Sequence, residues 1–351
     1  MPHLWVTVAL LLGSAIVIYL SCELFVNGVE WVGEKLAVGQ KATGSILAAF
    51  GTALPESVVT LVAVAGGTAV GKELGVGAAL GGPLALSTIA YATVGVTLLL
   101  ARKKLLKTAE IKAEFRNLSR DQGWFLLIFA AKITLGLIAF AWKPWLGILF
   151  LGAYALYVRQ EMSGHSGDEE GDREPLTFQR HAAIPSTLMA LLQTGLALLV
   201  IFVASRTFVA QLEALGPLLG LPPQLLALLL SPIATELPET MNAIIWVRQG
   251  KHRLALANIS GAMMIQATVP TAFGLFWTPW LLDAPLLLAA GVTALAVILM
   301  FLAFRAGMIS RRLLAAMALL YLVFAGLLVT LHLADRAPGA GRPAQIDRFA
   351  A

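Results

Sequence analysis

Two stretches decide how this chain reads: FGTALPES at residues 50–57 and IATELPET at residues 233–240. Thr52, Leu54, Pro55 and Glu56 of the first equal Thr235, Leu237, Pro238 and Glu239 of the second, at an offset of 183. The correspondence runs outward at the same offset. Phe25-Val26 falls on Phe208-Val209, Glu30 on Glu213 and Gly33 on Gly216; at an offset of 180, Gly81 and Thr88 fall on Gly261 and Thr268. Apolar segments match one another by chance, but a shared T-x-L-P-E at the same place in each half is too specific for that.

The surroundings of both motifs are strongly apolar. Of 351 residues, 58% are hydrophobic and 13% charged, and the mean hydropathy is +0.82. Soluble chains carry about 25% charged residues, so a soluble enzyme, a disordered chain and a coiled coil are excluded. The apolar runs do not alternate, which excludes a β-barrel. A membrane span needs about 20 mainly apolar residues. Ten such runs are expected, at 4–22, 42–71, 74–101, 122–142, 144–158, 182–205, 214–247, 254–282, 284–304 and 313–331. No basic residue precedes the first, so it reads as a retained helix rather than a cleaved signal.

The longest polar segment, 159–181, contains SGHSGDEEGDREP and divides the spans five and five. An odd number of spans per half makes the second half enter the membrane the opposite way, as an inverted-topology repeat. The expected architecture is an all-α integral membrane protein of ten transmembrane helices in two inverted five-helix repeats. Residues 1–160 form the first repeat, 161–181 a flexible linker, 182–335 the second repeat and 336–351 a disordered tail. With both termini outside and the linker cytosolic, 18 of the 25 Lys and Arg residues lie in cytosolic loops and five outside, as the positive-inside rule requires. The net charge of +5 thus marks loops, not a nucleic-acid partner. The one cysteine, Cys22, excludes an internal disulfide and a multi-cysteine metal cluster. The chain has no phosphate-binding glycine loop, no Ser-His-Asp set and no soluble domain large enough for an ATPase. It reads as neither an enzyme nor a primary pump, and it needs no cofactor.

A carboxylate in mid-span costs about 2.5–3.5 kcal/mol on insertion scales. Glu56 and Glu239 both occupy that position, so a cation, a proton or a basic partner must offset the cost. Pro55 cannot donate to the carbonyl of Gly51, nor Pro238 to that of Ala234, so each helix opens one turn before its glutamate. Thr52 and Glu56 share one helical face, as do Thr235 and Glu239. Two such faces meeting present carboxylates, hydroxyls and carbonyls without nitrogen or sulfur, a donor set suited to Ca²⁺ or, with fewer charges, Na⁺.

These residues resemble the calcium/cation antiporter superfamily of the sodium/calcium exchanger type, whose two repeats each contain G-T-S-L-P-E. Here the motifs read GTALPE and ATELPE. The resemblance covers about 21–91 and 205–276. It implies that Glu56 and Glu239 are the central cation ligands, with Thr52 and Thr235 beside them. It also implies exchange of Ca²⁺ against Na⁺ or H⁺ by alternating access, the long first and sixth spans sliding as a gate. The family's third and eighth spans carry G-S-N/D-I-F-N, whereas this chain has GGPLAL at 81–86 and GAMMIQ at 261–266, with Pro83 and Met263 at the polar position. Ser87, Thr88, Gln266 and Thr268 are substitutes one turn on, and Glu236 adds a third carboxylate. The expected function is a secondary cation antiporter for Ca²⁺ against Na⁺ or H⁺, in a prokaryotic inner membrane. An exchanger for K⁺ or Mn²⁺, a channel and a non-transporting scaffold are the alternatives. Inorganic cations and the lipid bilayer are its expected partners.

Outside the motifs, Glu23, Asn27, Glu30 and Glu34 share one face at the inner end of the first span. They offer an ion entry path or a wet helix end, and Glu23 falls opposite Arg206 in the repeat as a gate pair. Lys132, deep in a span, reads as a snorkelling residue, as the partner of a carboxylate or, first of all, as a packing residue. Tryptophans at span ends, including Trp31 and Trp280, read as interfacial anchors.

Overall fold

The computed structural model describes residues 2–35, 53–54, 56–100, 110–163, 174–182, 184–248, 250, 252–307 and 309–335. Gly51, Thr52, Pro55, most of the linker and the tail lie outside the described residues. Among the described residues the regular structure is entirely helical. The helices are α1 (Pro2–Lys35), α2 (Glu56–Ala65), α3 (Ala69–Ala85), α4 (Tyr91–Leu100), α5 (Glu110–Leu137) and α6 (Gly147–Ser163). They continue with α7 (Thr187–Leu219), α8 (Pro223–Leu229), α9 (Ser231–Thr235), α10 (Leu237–Arg248), α11 (His252–Trp277), α12 (Ala284–Ala306) and α13 (Arg311–Asp335).

Six helical segments are long and apolar enough to cross a membrane: Leu4–Phe25, Ala69–Leu100, Thr187–Leu219, Ala255–Trp277, Ala284–Ala306 and Arg311–Leu331. The other four expected spans fall on helices that are short (α2, α6), charged at one end (α5) or broken (α8 to α10). Several boundaries differ from the sequence reading: α1 runs past residue 22 to Lys35, α3 begins at Ala69, and α5 covers Glu110–Leu137 rather than 122–142. The sixth span does not end before Arg206: α7 carries that residue on an exposed face and continues to Leu219. It stops where Gly220 takes a left-handed conformation at φ 64°, a C-terminal geometry that glycine adopts without steric cost. The fifth span also runs on, to Ser163.

Proline and helix irregularity coincide. Pro83 sits inside α3, and the following turn, Leu86–Ala90, widens to π-helical before α4 resumes. Such π-turns often mark functional sites. The seventh expected span is interrupted at Leu230 and again at Glu236, with Pro232 opening α9 and Pro238 in the first turn of α10. The second break lies between Ala234 and Pro238, the turn where the missing proline N–H places it.

The polarity of the packing is that of a membrane protein. Leu10, Ile16 and Leu20 of α1 and Leu191, Leu199 and Val203 of α7 are exposed. Glu56, Gln122, Lys132, Glu236, Glu239 and Gln266 are buried. The long helices α1 and α7, 34 and 33 residues, lie along each other. At 1.5 Å per residue each is about 50 Å long, more than the hydrocarbon thickness of about 30 Å. Gly28 lets them close: a methyl group there would sit 2.5 Å from Thr194 Oγ1. With α2 and α8 they share an aliphatic core of Ile18, Phe25, Val59, Ile201, Phe208 and Leu226. The main core lies among α3 to α6 and α10 to α13. There α4 packs on α13 and α6 on α11, while α12 packs on α3 and α11 on α5.

The end of the linker is held against the α1–α7 pair. Leu176 is fully buried with Trp31 and Ala190. Asn27 Nδ2 donates to the carbonyls of Glu174 (3.4 Å) and Pro175 (3.3 Å), and Trp31 Nε1 donates to Glu174 O. Asn27 Oδ1 accepts from Thr177 N at 3.0 Å and from Gln193 Nε2 at 2.9 Å. Phe178 N donates to Gln193 Oε1. The expected flexible linker is thus ordered at 174–182. Leu176→Ala should detach this strap, costing about 2–3 kcal/mol. Limited proteolysis reads it as faster cleavage at Arg180, and an unchanged rate would show that the strap is held by its backbone bonds alone.

Candidate functional site

The second motif is held by its own breaks. Thr235 closes α9, its hydroxyl 3.0 Å from Ser231 O. Glu236 sits at the junction with backbone angles −92° and 6°, donating its N–H to Pro232 O at 2.9 Å and accepting from Thr240 N at 3.1 Å. Glu239 begins the first turn of α10. All three side chains are buried, with exposures of 4%, 4% and 0%. Close packing seats α9 against α3: a methyl group on Gly81 would lie 2.6 Å from Pro232 Cγ.

The first motif meets the second directly. Glu56, 1% exposed on α2, accepts a hydrogen bond on Oε2 from Thr235 Oγ1 at 2.5 Å. Thr52, the counterpart of Thr235 at the offset of 183, lies outside the described residues. The Glu236 carboxylate lies within electrostatic reach of those of Glu239 and Glu56. Gln266 of α11 donates from Nε2 to Glu236 Oε1 at 2.6 Å. Its amide packs on Gly82, where a methyl group would lie 2.7 Å from Gln266 Oε1. Glu56 Oε1, Glu236 Oε2 and Gln266 Oε1 are buried and have no hydrogen-bond partner among the described residues. Such atoms are costly unless something satisfies them. Among the described residues, no three His, Cys, Asp or Glu side chains form a closed metal cluster.

The expected substitutes behave differently from one another. Gln266 reaches the carboxylates. Ser87 and Thr88 donate to Leu84 O at 3.2 and 2.5 Å, and Thr268 donates to Met264 O at 2.7 Å. These hydroxyl protons are turned to their own helices, leaving only oxygen lone pairs for another group. Ala234 lies in α9. Pro83 and Met263 are buried.

Of the residues read as an entry path, the side chains of Glu30 and Glu34 lie outside the described residues. Asn27 spends its amide on the linker strap. Glu23 is exposed and hydrogen-bonds Tyr19 one turn away, and among the described residues no ion pair joins it to exposed Arg206. Glu30 lies on α1. Lys132 does not snorkel. It is fully buried and donates from Nζ to Ala79 O at 2.7 Å, over the rings of Phe129 and Trp280. Trp280 and Trp31 are buried rather than interfacial, at 0% and 9% exposure, whereas Trp5, Trp142 and Trp145 are exposed. Trp280 adopts φ 48°. It donates from Nε1 to Lys132 O at 3.1 Å, and its own carbonyl accepts from Lys143 Nζ at 2.8 Å. Lys143, in the loop outside the spans, has its pKa pushed down to about 8 by burial.

Sequence reasoning missed a second polar knot. Gln122 Nε2 donates to Tyr91 Oη and Ser260 Oγ, both at 2.9 Å, tying α4, α5 and α11 together. Its only sequence signal is a glutamine just inside a span.

A candidate antiporter, CaxA of Alkalimonas amylolytica, is 26% identical over 79% of this chain and 82% of its own length. The inner membrane protein YrbG of Escherichia coli strain K12 is 24% identical over 79% of this chain and 81% of its own. Among solved structures, the H⁺/Ca²⁺ exchanger CAX superposes with a TM-score of 0.72 at 17% identity, covering 93% of this chain and 87% of that one. The sodium-calcium exchanger NCX_Mj gives 0.60 at 18% identity, covering 92% and 99%. The profile described as "Sodium/calcium exchanger protein" matches residues 6–159 and 189–330. This all-helical membrane protein with three buried glutamates therefore belongs to the sodium/calcium exchanger family.

Proposed function

We propose that the chain is a secondary antiporter that moves Ca²⁺ against Na⁺ or H⁺ through a site shared by two inverted five-helix halves. One observation carries the reading: Glu56 of the first motif accepts a hydrogen bond from Thr235 of the second, Glu236 lies in electrostatic reach of Glu56 and Glu239, and among the described residues Glu56 Oε1 and Glu236 Oε2 have no hydrogen-bond partner. A hard cation with oxygen ligands would satisfy them. The packing supports the inverted repeat. Exchanging the halves turns the α4–α13 contact into α11–α6 and the α3–α12 contact into α11–α5, and all four are present. In this reading the spans number ten, with both termini outside and the linker cytosolic. The α1–α7 pair, joined to the rest by an aliphatic surface, is the moving part. Carboxylates also carry protons, so H⁺ coupling needs no histidine.

A second reading, exchange of K⁺ or Mn²⁺, rests on Pro83 and Met263 standing buried where the family has a polar ligand. Uptake of ⁴⁵Ca²⁺ into proteoliposomes under an outward Na⁺ or H⁺ gradient separates the two. Uptake driven by one gradient establishes Ca²⁺ exchange and names the driving ion. No uptake by folded protein removes calcium and leaves the other cations.

A further inference from the structure

We infer that Lys132 is a tethered cation of the carboxylate site, and that it fixes at two the positive charge the cargo must bring. The inference rests on the cation-antiport reading and goes beyond it. A lysine within reach of a membrane surface extends its ammonium into water. Lys132 does the opposite: its exposure is 0%.

The ammonium is held in place from three sides. Nζ donates to Ala79 O on α3 at 2.7 Å. It lies 5.5 Å from the centroid of the Phe129 ring and 5.8 Å from that of Trp280, where ring quadrupoles attract a cation. Trp280 is itself fixed by its bond to Lys132 O and by close contact with Gly274. This is a built socket for a charge, not a chance packing of an aliphatic stem.

The socket adjoins the glutamates. Ala79 and Gly82 are three residues apart and so on one face of α3. Gly82 is the residue on which Gln266 packs, and Gln266 holds Glu236. The ammonium thus sits one helical turn along α3 from the Gln266–Glu236 bond, and Lys132 and Glu56 interact electrostatically. With Glu56, Glu236 and Glu239 ionised, the site carries three negative charges, and Lys132 cancels one. One divalent or two monovalent cations then neutralise it. Glu236, the carboxylate that the repeat partner Ala53 lacks, is thereby balanced by a lysine from another helix.

The test compares Lys132→Met, Lys132→Arg and Lys132→Met/Glu236→Gln with the unaltered full chain. Equilibrium binding of Na⁺, K⁺, Ca²⁺ and Mn²⁺ to purified protein is the readout. Removing a fixed positive charge shifts the site potential, and the effect on a bound ion scales with its valence. Lys132→Met should tighten every cation that the unaltered protein binds, by about tenfold for monovalent ions and by the square of that factor for divalent ones. Lys132→Arg should stay within about twofold of the unaltered chain, and the double variant should return towards it.

Unchanged affinities in folded Lys132→Met, or changes that ignore valence, overturn the inference and leave the antiport reading standing. If the unaltered chain binds none of the four cations, the antiport reading falls and takes the inference with it. If Lys132→Met does not fold, rescue by Glu236→Gln supports charge balance, and failure of that rescue assigns Lys132 to packing and overturns it.

Discussion

Glu56→Gln and Glu239→Gln should each reduce cation exchange by about a hundredfold or more, while raising the thermal stability of the cation-free protein. The two effects have one cause. A carboxylate in mid-span costs about 2.5–3.5 kcal/mol, and here three are buried, with Glu236 in electrostatic reach of both Glu56 and Glu239. Neutral glutamine removes one charge from that repulsion. Glu56→Gln also keeps an oxygen to accept the Thr235 hydroxyl, so the contact between the motifs survives. What is lost is attraction for cargo. Opposite unit charges at 4 Å are worth about 4 kcal/mol at an effective dielectric of 20, and twice that for a divalent ion. Each 1.4 kcal/mol is about a tenfold change in binding. Were the glutamates only structural hydrogen-bond partners, the signs would reverse: transport would persist and the unfolding midpoint would fall. Proteoliposome uptake, paired with unfolding in detergent with and without Ca²⁺, reads both signs. Thr235→Val should weaken binding less, because it removes a neutral hydroxyl and no charge.

The second large effect is on folding. A methyl group on Gly95 would lie 2.7 Å from the carbonyl carbon of Leu314 and overlap the backbone nitrogen of Ala315. No rotamer avoids this, since the clash begins at Cβ and meets backbone rather than a mobile side chain. Gly95→Val must therefore push α4 away from α13, one of the main helix contacts of the larger core. Overpacking of this kind costs about 1–3 kcal/mol. Gly152→Val is the matched control, because a methyl group added there would meet nothing within 4 Å. A fall in unfolding midpoint and in yield of monodisperse protein is expected for the first and not for the second. Equal behaviour would mean that α4 and α13 do not pack this closely.

The membrane class and the two motifs were legible because they rest on local signals. Long uncharged runs have one physical meaning, and a proline removes a helix hydrogen bond one turn before it. The break at Glu236 and the burial of Glu56, Glu236 and Glu239 follow from that. What stayed hidden depends on partners far along the chain. Lys132 reads as snorkelling, packed or paired with a carboxylate until Ala79, Phe129 and Trp280 are seen around it. Asn27 has the spacing of a polar helix face, yet its partners come from Glu174, Thr177 and Gln193. Ser87, Thr88 and Thr268 have the right chemistry for ligands, but hydroxyls in helices readily bond to the preceding turn. The π-turn at Leu86–Ala90 had only Pro83 to announce it.

The unequal motifs carry a consequence for the energy of the two access states. In a transporter built from identical halves, the inward-open and outward-open forms exchange under the internal twofold and are degenerate in the absence of a membrane potential. Glu236 in one motif, against Ala53 in the other, removes that degeneracy for the proposed repeat. Each opening would hydrate a different number of carboxylates. The empty carrier would then rest on the side that wets Glu236, and its asymmetry would be written in one residue rather than in the surrounding bilayer.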